Sequence, residues 1–336
     1  METDRLFLVT GAGGHLGGAV IARLREKGYA VRALCRGGEK NPPAGAELCF
    51  GDVCDRDSLR EFFSNTGGRA MTVIHCAGIV SIASKYVQRV YDVNVTGTKN
   101  IVDLSVENGV EKLIYISSVH AIPEKPKGQV MTEDCRFSPD AVTGLYAKTK
   151  AEATAYVLAA AERGLDAEVV FPSGIIGPFD KGKSHTNQLV EDYMTGRLTA
   201  AVRGGYDFVD VRDVAEGVVA CAERGVSGEG YILSGGYHSV RELLDILHEL
   251  TGRPRVRTYL PVRFIVLMAP LCELYYSIRR KPPLFTSYSM YTLGSNSLFS
   301  NAKARSGLGF APRDIRDTLR DTVAWMRDSG KLPAKA

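Results

Sequence analysis

Tyr146 and Lys150 stand four residues apart in Tyr146-Ala147-Lys148-Thr149-Lys150, a spacing that puts two side chains on one face of a helix. A free phenol has a pKa of about 10, too high for a base at neutral pH. An ammonium one helical turn away favours the phenolate and so lowers that value. Such pairs also occur on exposed helices that do no chemistry. What gives this one meaning is Ile114-Tyr115-Ile116-Ser117-Ser118, which reads as a strand ending in two hydroxyls. At the carboxyl edge of a parallel sheet, Ser118 can hold a reacting oxygen beside Tyr146. Ser117 either does the same work or caps the strand. The chemistry is proton exchange with a substrate oxygen.

A second group of residues points to a nucleotide. Thr10-Gly11-Ala12-Gly13-Gly14-His15-Leu16-Gly17 follows an apolar strand-like segment and opens a helix-like one. Gly11 allows a tight turn, Gly14 lets backbone approach a pyrophosphate, and Gly17 lets helix and strand pack closely. The helix start at His15 and Leu16 then offers N–H groups and partial positive charge to phosphates. The next strand ends Val31-Arg32-Ala33-Leu34-Cys35-Arg36 without an acid. Arg36, with Lys40 assisting, favours NADP(H) over NAD(H), which stays possible if Arg36 is merely solvated. Asp52, beside Val53, either accepts the adenine amino group or begins a turn. Cys76, Ala77 and Gly78 end the fourth strand and are small enough to let backbone lie along a cofactor. His75 and Cys76 have no ligand pair at useful spacing, so no metal site is expected.

The elements that must position these residues alternate. Strands are expected at 6–10, 30–35, 47–51, 72–76, 113–117 and 167–171, and helices at 16–27, 58–64, 87–107 and 146–163. Gly28, Gly109 and Gly164 supply stop signals. This alternation predicts an α/β chain with a doubly wound parallel sheet covered on both faces. A dinucleotide-binding domain is expected over 1–180, with 208–234 contributing through a strand at 208–211 and a helix at 213–223. Residues 181–207 and 235–310 are expected to form a smaller substrate lobe over the carboxyl edge. A closing amphipathic helix falls at 314–327, within 311–330.

Composition narrows the function. With 45% apolar and 24% charged residues, the 336-residue chain is an ordinary globule. Its net charge of +4 is not gathered into a basic run, which argues against nucleic-acid binding. The longest apolar stretch, 264–271, is far shorter than the roughly 18 residues of a membrane span. Seven cysteines, odd in number and without a C-x-x-C pair, argue against disulfides or zinc and for a reducing cytoplasm. Arg253, Arg255, Arg257 and Arg263 precede the apolar segment, and Arg279-Arg280-Lys281 follows it. They are either a basic lid over a lipophilic pocket or solvated charges flanking a strand and a buried helix.

In order along the chain, these motifs resemble the extended short-chain dehydrogenase/reductase superfamily, which includes the NAD-dependent epimerase/dehydratase family. The matching segments are the glycine turn, Gly51-Asp52-Val53, His75-Cys76-Ala77-Gly78, Asn94-Val95-Thr96-Gly97-Thr98-Lys99-Asn100, Ser117-Ser118, Tyr146/Lys150, Phe171-Pro172-Ser173-Gly174-Ile175-Ile176-Gly177-Pro178 and Phe208-Val209-Asp210-Val211-Arg212-Asp213-Val214. Within the superfamily, the chain resembles the dihydroflavonol reductase and 3β-hydroxysteroid dehydrogenase branch: Lys281-Pro282-Pro283-Leu284-Phe285-Thr286-Ser287-Tyr288-Ser289 is similar to the steroid dehydrogenase tail, and Arg36 to the reductase side. The resemblance implies a Rossmann-type fold, Tyr146 as general acid/base, Lys150 as its electrostatic partner and Ser118 as the carbonyl-orienting hydroxyl. It also implies Asn94, Pro172 and Ile175 at the cofactor, hydride exchange at the nicotinamide ring, and a homodimer. Val80, Ser81 and His120 are expected against substrate; for His120 a satisfied loop histidine is the other reading.

The main expectation is reversible reduction of a ketone or aldehyde, or oxidation of the alcohol, on a hydrophobic or ring-shaped small molecule. A nucleotide-sugar epimerase or dehydratase with tightly bound NAD uses the same three residues. Val119-His120-Ala121 after Ser118, without a Tyr-Gly pair, speaks against it. A non-catalytic cofactor-sensing regulator would ordinarily have lost the Tyr/Lys pair.

Overall fold

The computed structural model describes residues 4–39, 42–182, 184–261 and 287–332. Lys40, the apolar segment 264–271 with Arg263, the basic run 279–281 and most of the tail that follows lie outside them.

Short apolar strands form the centre. β1 (Arg5–Thr10) leads through the glycine turn into α1 (His15–Glu26), then β2 (Ala30–Cys35), β3 (Glu47–Phe50), α2 (Arg60–Phe63) and β4 (Ala70–His75). α3 (Gln88–Tyr91) passes through a π-turn at Asp92–Thr96 into α4 (Gly97–Glu107), followed by β5 (Lys112–Ile116), α5 (Leu145–Glu162) and β6 (Ala167–Pro172). Then come β7 (Gly174–Ile176), α6 (His185–Met194), β8 (Ala200–Val202), β9 (Gly205–Asp210), α7 (Val211–Arg224) and β10 (Gly230–Leu233). The chain continues with β11 (Tyr237–Ser239), α8 (Val240–Thr251), β12 (Thr258–Leu260), α9 (Ser287–Gly294), α10 (Ala302–Leu308) and α11 (Ile315–Asp328).

Seven strands make one parallel sheet in the order β10-β6-β5-β4-β1-β2-β3. The period-two alternation of strands divides its core. Leu6 and Leu8 of β1, with Leu113 and Tyr115 of β5, join a cluster with α2, α4 and α5. Phe7 and Val9, with Ile114 and Ile116, face α1, α7 and α10. Both faces are therefore covered, which is why these strands are nearly continuous apolar runs. Two small sheets, β11-β9-β7 and β12-β8, lie outside the main one.

Several boundaries differ from the sequence expectation. Gly51, Cys76 and Ser117 fall one residue beyond their strands, and Val211 opens α7 because the Asp210 carboxylate caps it through the N–H of Arg212. The helix expected at 87–107 is interrupted by the π-turn carrying Asn94. Ala302–Leu308, within the range expected for the lobe, packs on α7 and β10 of the sheet instead. Its Ala304 and Leu308 are buried in the apolar cluster that includes α7 and the β10 residues Tyr231 and Leu233. Among the described residues, no helix is long and apolar enough to cross a membrane, and no cluster of His, Cys, Asp or Glu is arranged to hold a metal.

Candidate active site

Strand order reverses between β1 and β4, and a crevice opens at such a point outside the carboxyl ends of the strands. The glycine turn lies there. Gly11 has φ +66°, and a Cβ on it would fall 2.7 Å from the backbone nitrogen of Ala77. A Cβ on Gly17 would fall 2.2 Å from the carbonyl oxygen of Gly11. Only glycine allows turn, helix and β4 loop to meet this closely. α1 begins at Gly14 with no side chain capping it, so its first N–H groups are available to an anion, a cradle that fits a dinucleotide's pyrophosphate. His15 turns its ring away: Nε2 donates to the carbonyl of Pro178 at 2.8 Å, and burial pushes its pKa down. Leu16 is buried against the sheet.

Around the turn, Arg36 is exposed just past β2. Glu39, four residues past the strand, returns over the turn, and a Cβ on Gly13 would fall 2.3 Å from its carboxylate. Gly38, at φ +82°, bends the chain back, and the N–H of Glu39 closes on the carbonyl of Arg36 at 3.1 Å. Asp52 accepts from Arg89 at 2.8 Å and from the N–H of Cys54 at 2.9 Å. Burial acts to raise its pKa, but these donors bring it below the usual carboxylate range. Val53 is buried, and its carbonyl accepts from Asn100. The N–H of Ala77 donates to Thr10 Oγ1 at 3.1 Å, fixing the loop that carries Cys76 and Gly78. Asn94, fully buried, accepts from the N–H of Ile79 at 2.7 Å and donates to its carbonyl at 3.0 Å and to Thr149 Oγ1 at 3.1 Å. Pro172 ends β6 and Ile175 lies in β7, half-buried.

Gly144, at φ +96°, releases the chain into α5, whose inward face carries Tyr146 and Lys150. Both are buried, at 7% and 5% exposure, as is Ser118. Of the two hydroxyls after β5, Ser117 pairs with Thr154 at 2.6 Å, whereas Ser118 accepts the N–H of His120 at 3.2 Å and lies near enough to Tyr146 to act on its phenol. Lys150 Nζ donates to the carbonyl of Ile116 at 2.7 Å and to the Tyr115 hydroxyl at 3.3 Å. Burial brings its pKa down to about 8. The Tyr146 phenol does not show the lowering expected from Lys150. Burial pushes it up to about 12, the neighbouring Ser118 hydroxyl acting the other way, while the ammonium is turned to Ile116 and Tyr115.

Of the residues expected against substrate, Val80 is exposed and Ser81 accepts from the N–H of Ala83. The His120 ring lies edge-on to Tyr146, with centroids 5.7 Å apart, and meets Tyr206 and Tyr288. Sequence reasoning missed Tyr206, Tyr288 and Glu39. For the tyrosines no local signal existed; for Glu39 the Gly37-Gly38 pair marked the turn that brings it back.

Residues 7–234 match the model of the NAD dependent epimerase/dehydratase family. Sterol demethylase protein B of Methylococcus capsulatus is 33% identical over 97% of this chain and 99% of its own length. Cinnamoyl-CoA reductase 1 of Oryza sativa subsp. japonica is 31% identical over 98% of this chain and 92% of its own. The crystal structure of gox2253 superposes with a TM-score of 0.83 at 31% identity, over 98% of this chain and 100% of that one. The chain thus belongs to the NAD dependent epimerase/dehydratase family, within the extended short-chain dehydrogenase/reductase superfamily of NAD(P)-dependent enzymes acting on CH–OH or carbonyl groups.

Proposed function

We propose that this enzyme interconverts a ketone or aldehyde with the corresponding alcohol on a hydrophobic or ring-shaped substrate, with Tyr146 as general acid/base. The observation that carries this reading is that Tyr146, Lys150 and Ser118 are all buried together at the sheet's carboxyl edge. An idle tyrosine–lysine pair would face solvent. The relatives named for a sterol and for a cinnamoyl thioester favour an apolar substrate.

Gly11, Gly14, His15, Leu16 and Gly17 would hold the pyrophosphate, and Asp52 and Val53 the adenine. Cys76, Ala77, Gly78, Asn94, Pro172 and Ile175 would line the rest, and Lys150 would reach the ribose. A bound nicotinamide supplies hydride exchange with the substrate carbon. The proton belongs to the chain. The Tyr146 phenol, protonated at neutral pH and pushed further that way by burial, is set to donate to a substrate oxygen during reduction, while Ser118 orients that oxygen. NADP(H) is the proposed preference, supported by Arg36 and opposed at close range by Glu39.

Tyr146→Phe should lower turnover by about three orders of magnitude, the middle of the range for a general acid, and leave cofactor binding nearly intact. Retained turnover would remove Tyr146 from the chemistry. Protein that purifies with firmly held NAD, and converts nucleotide sugars without added cofactor, would replace this reading with that of an epimerase.

A further inference from the structure

The reacting oxygen is served by Tyr146 and Ser118, which leaves three polar rings beside them without a task. His120 stacks on Tyr206, with centroids 5.5 Å apart and planes 15° apart. Its Nε2 lies 3.0 Å from the Tyr206 hydroxyl, and its Nδ1 lies 3.5 Å from that of Tyr288. Tyr206 comes from β9 and Tyr288 from α9, where its ring fills the space a Cβ on Gly144 would take. His120 and Tyr206 also line a cavity of about 480 Å³ with Ala147, the neighbour of Tyr146. That is ample for a small multi-ring ligand.

The hydrogen-bonding arithmetic of this trio is specific. Burial pushes the His120 pKa down to about 4, so its ring is neutral and carries one N–H and one bare nitrogen. When Nε2 carries the proton, it donates to the Tyr206 oxygen and leaves the Tyr206 O–H free to donate elsewhere. When Nδ1 carries it, Tyr206 donates to Nε2 and keeps a lone pair to accept. One tautomer shift thus converts Tyr206 from donor to acceptor without a change of charge. Such a site suits a hydroxyl or a carbonyl. It does not suit a carboxylate, whose charge would be desolvated among neutral rings while Lys125 and Lys127 remain at the cavity's exposed rim.

We propose that Tyr206 is a specificity-determining residue that binds a second, uncharged oxygen on the substrate's ring system, with His120 as the positioning residue that sets its hydrogen-bonding sense. The inference rests on the oxidoreductase reading above and deepens it. The substrate class is a ring ketone or ring alcohol carrying one further hydroxyl or keto group.

The test compares ring ketones that differ by one hydroxyl, beginning with flavanone and dihydroflavonol and continuing with cyclohexanone and its hydroxylated counterpart. Wild-type protein should favour the hydroxylated member of a pair in kcat/KM, and Tyr206→Phe should reduce that preference roughly tenfold, the effect of one hydrogen bond. His120→Phe should lose the preference similarly and His120→Gln, still a neutral donor and acceptor, should recover part of it. If Tyr206→Phe does not fold, as judged by NADPH binding, His120→Phe carries the test alone. An unchanged ratio in the variants, or no preference in the wild type, overturns the inference while leaving the oxidoreductase reading intact. A wild-type protein that reduces no member of any pair, and no apolar open-chain ketone or aldehyde, with either cofactor overturns both.

Discussion

Lys150 directs its ammonium to the carbonyl oxygen of Ile116, 2.7 Å away at the end of β5. The amine expected to acidify a tyrosine is thereby tied to the sheet, and the phenol above it is governed by its own burial. The consequences for stability and for pH dependence can be measured separately.

Burial lowers the Lys150 pKa from its ordinary 10.5 to about 8. Between those values the unfolded chain holds a proton that the folded chain has shed, so stability rises with pH across that window. Below about pH 8 both states are charged and the full burial penalty stands. Lys150→Met removes this penalty but leaves the Ile116 carbonyl without its donor at every pH. The Tm of the variant relative to wild type, without cofactor, should therefore be highest below about pH 8 and decline towards pH 10.5. A difference that does not vary with pH would mean that the amine is not desolvated.

With the Tyr146 pKa pushed up to about 12, the phenolate is scarce at neutral pH and grows roughly tenfold per pH unit. Alcohol oxidation, which needs the base, should accelerate as pH rises above neutrality. Ketone reduction, which needs the acid, should stay nearly flat over the same range. Initial rates in both directions, with saturating cofactor, check this. Oxidation that slows with rising pH would point to a different base.

Gly17→Ala would force a methyl carbon within 2.2 Å of the Gly11 carbonyl, a backbone atom that cannot rotate aside. We expect a loss of about 2–4 kcal/mol in stability and at least a tenfold weaker NADPH affinity, typical of overpacking at a rigid contact. Gly18→Ala is the matched control, since its nearest neighbour would be 3.8 Å away. Chemical denaturation and fluorescence titration of both variants decide the matter.

Glu39 and Arg36 should pull cofactor choice in opposite directions. Removing the carboxylate with Glu39→Gln should improve NADP(H) affinity relative to NAD(H) by about three- to tenfold, and Arg36→Ser should reverse that shift. The ratio of the two dissociation constants is the readout, and it should compress at high salt. If Glu39→Gln leaves the ratio unchanged, the carboxylate does not face the adenosine ribose.

The sheet was legible because strands buried on both faces must be short and apolar, and helices that end must find a glycine. The placement of Tyr146 and Lys150 on one face of α5, and of Ser118 just past β5, was legible because a helical turn and a strand end are local patterns. Tyr206 and Tyr288 were not: they reach His120 from 86 and 168 residues away, through placements no local spacing records. The direction of the Lys150 ammonium was equally hidden, since a four-residue spacing fixes a shared face but not which partner the amine selects. Ala302–Leu308 fell within the expected lobe range because its neighbours did, yet it packs on α7 and β10, a long-range contact that local pattern does not record.

Asn94 grips Ile79 and Thr149 with one amide, from a helical turn wound wider than its neighbours. The loop that follows β4 and α5, the helix that carries Tyr146, therefore share a single rivet. One side chain thus ties both walls of that gap, so moving either wall away from the other has to break bonds to the same amide.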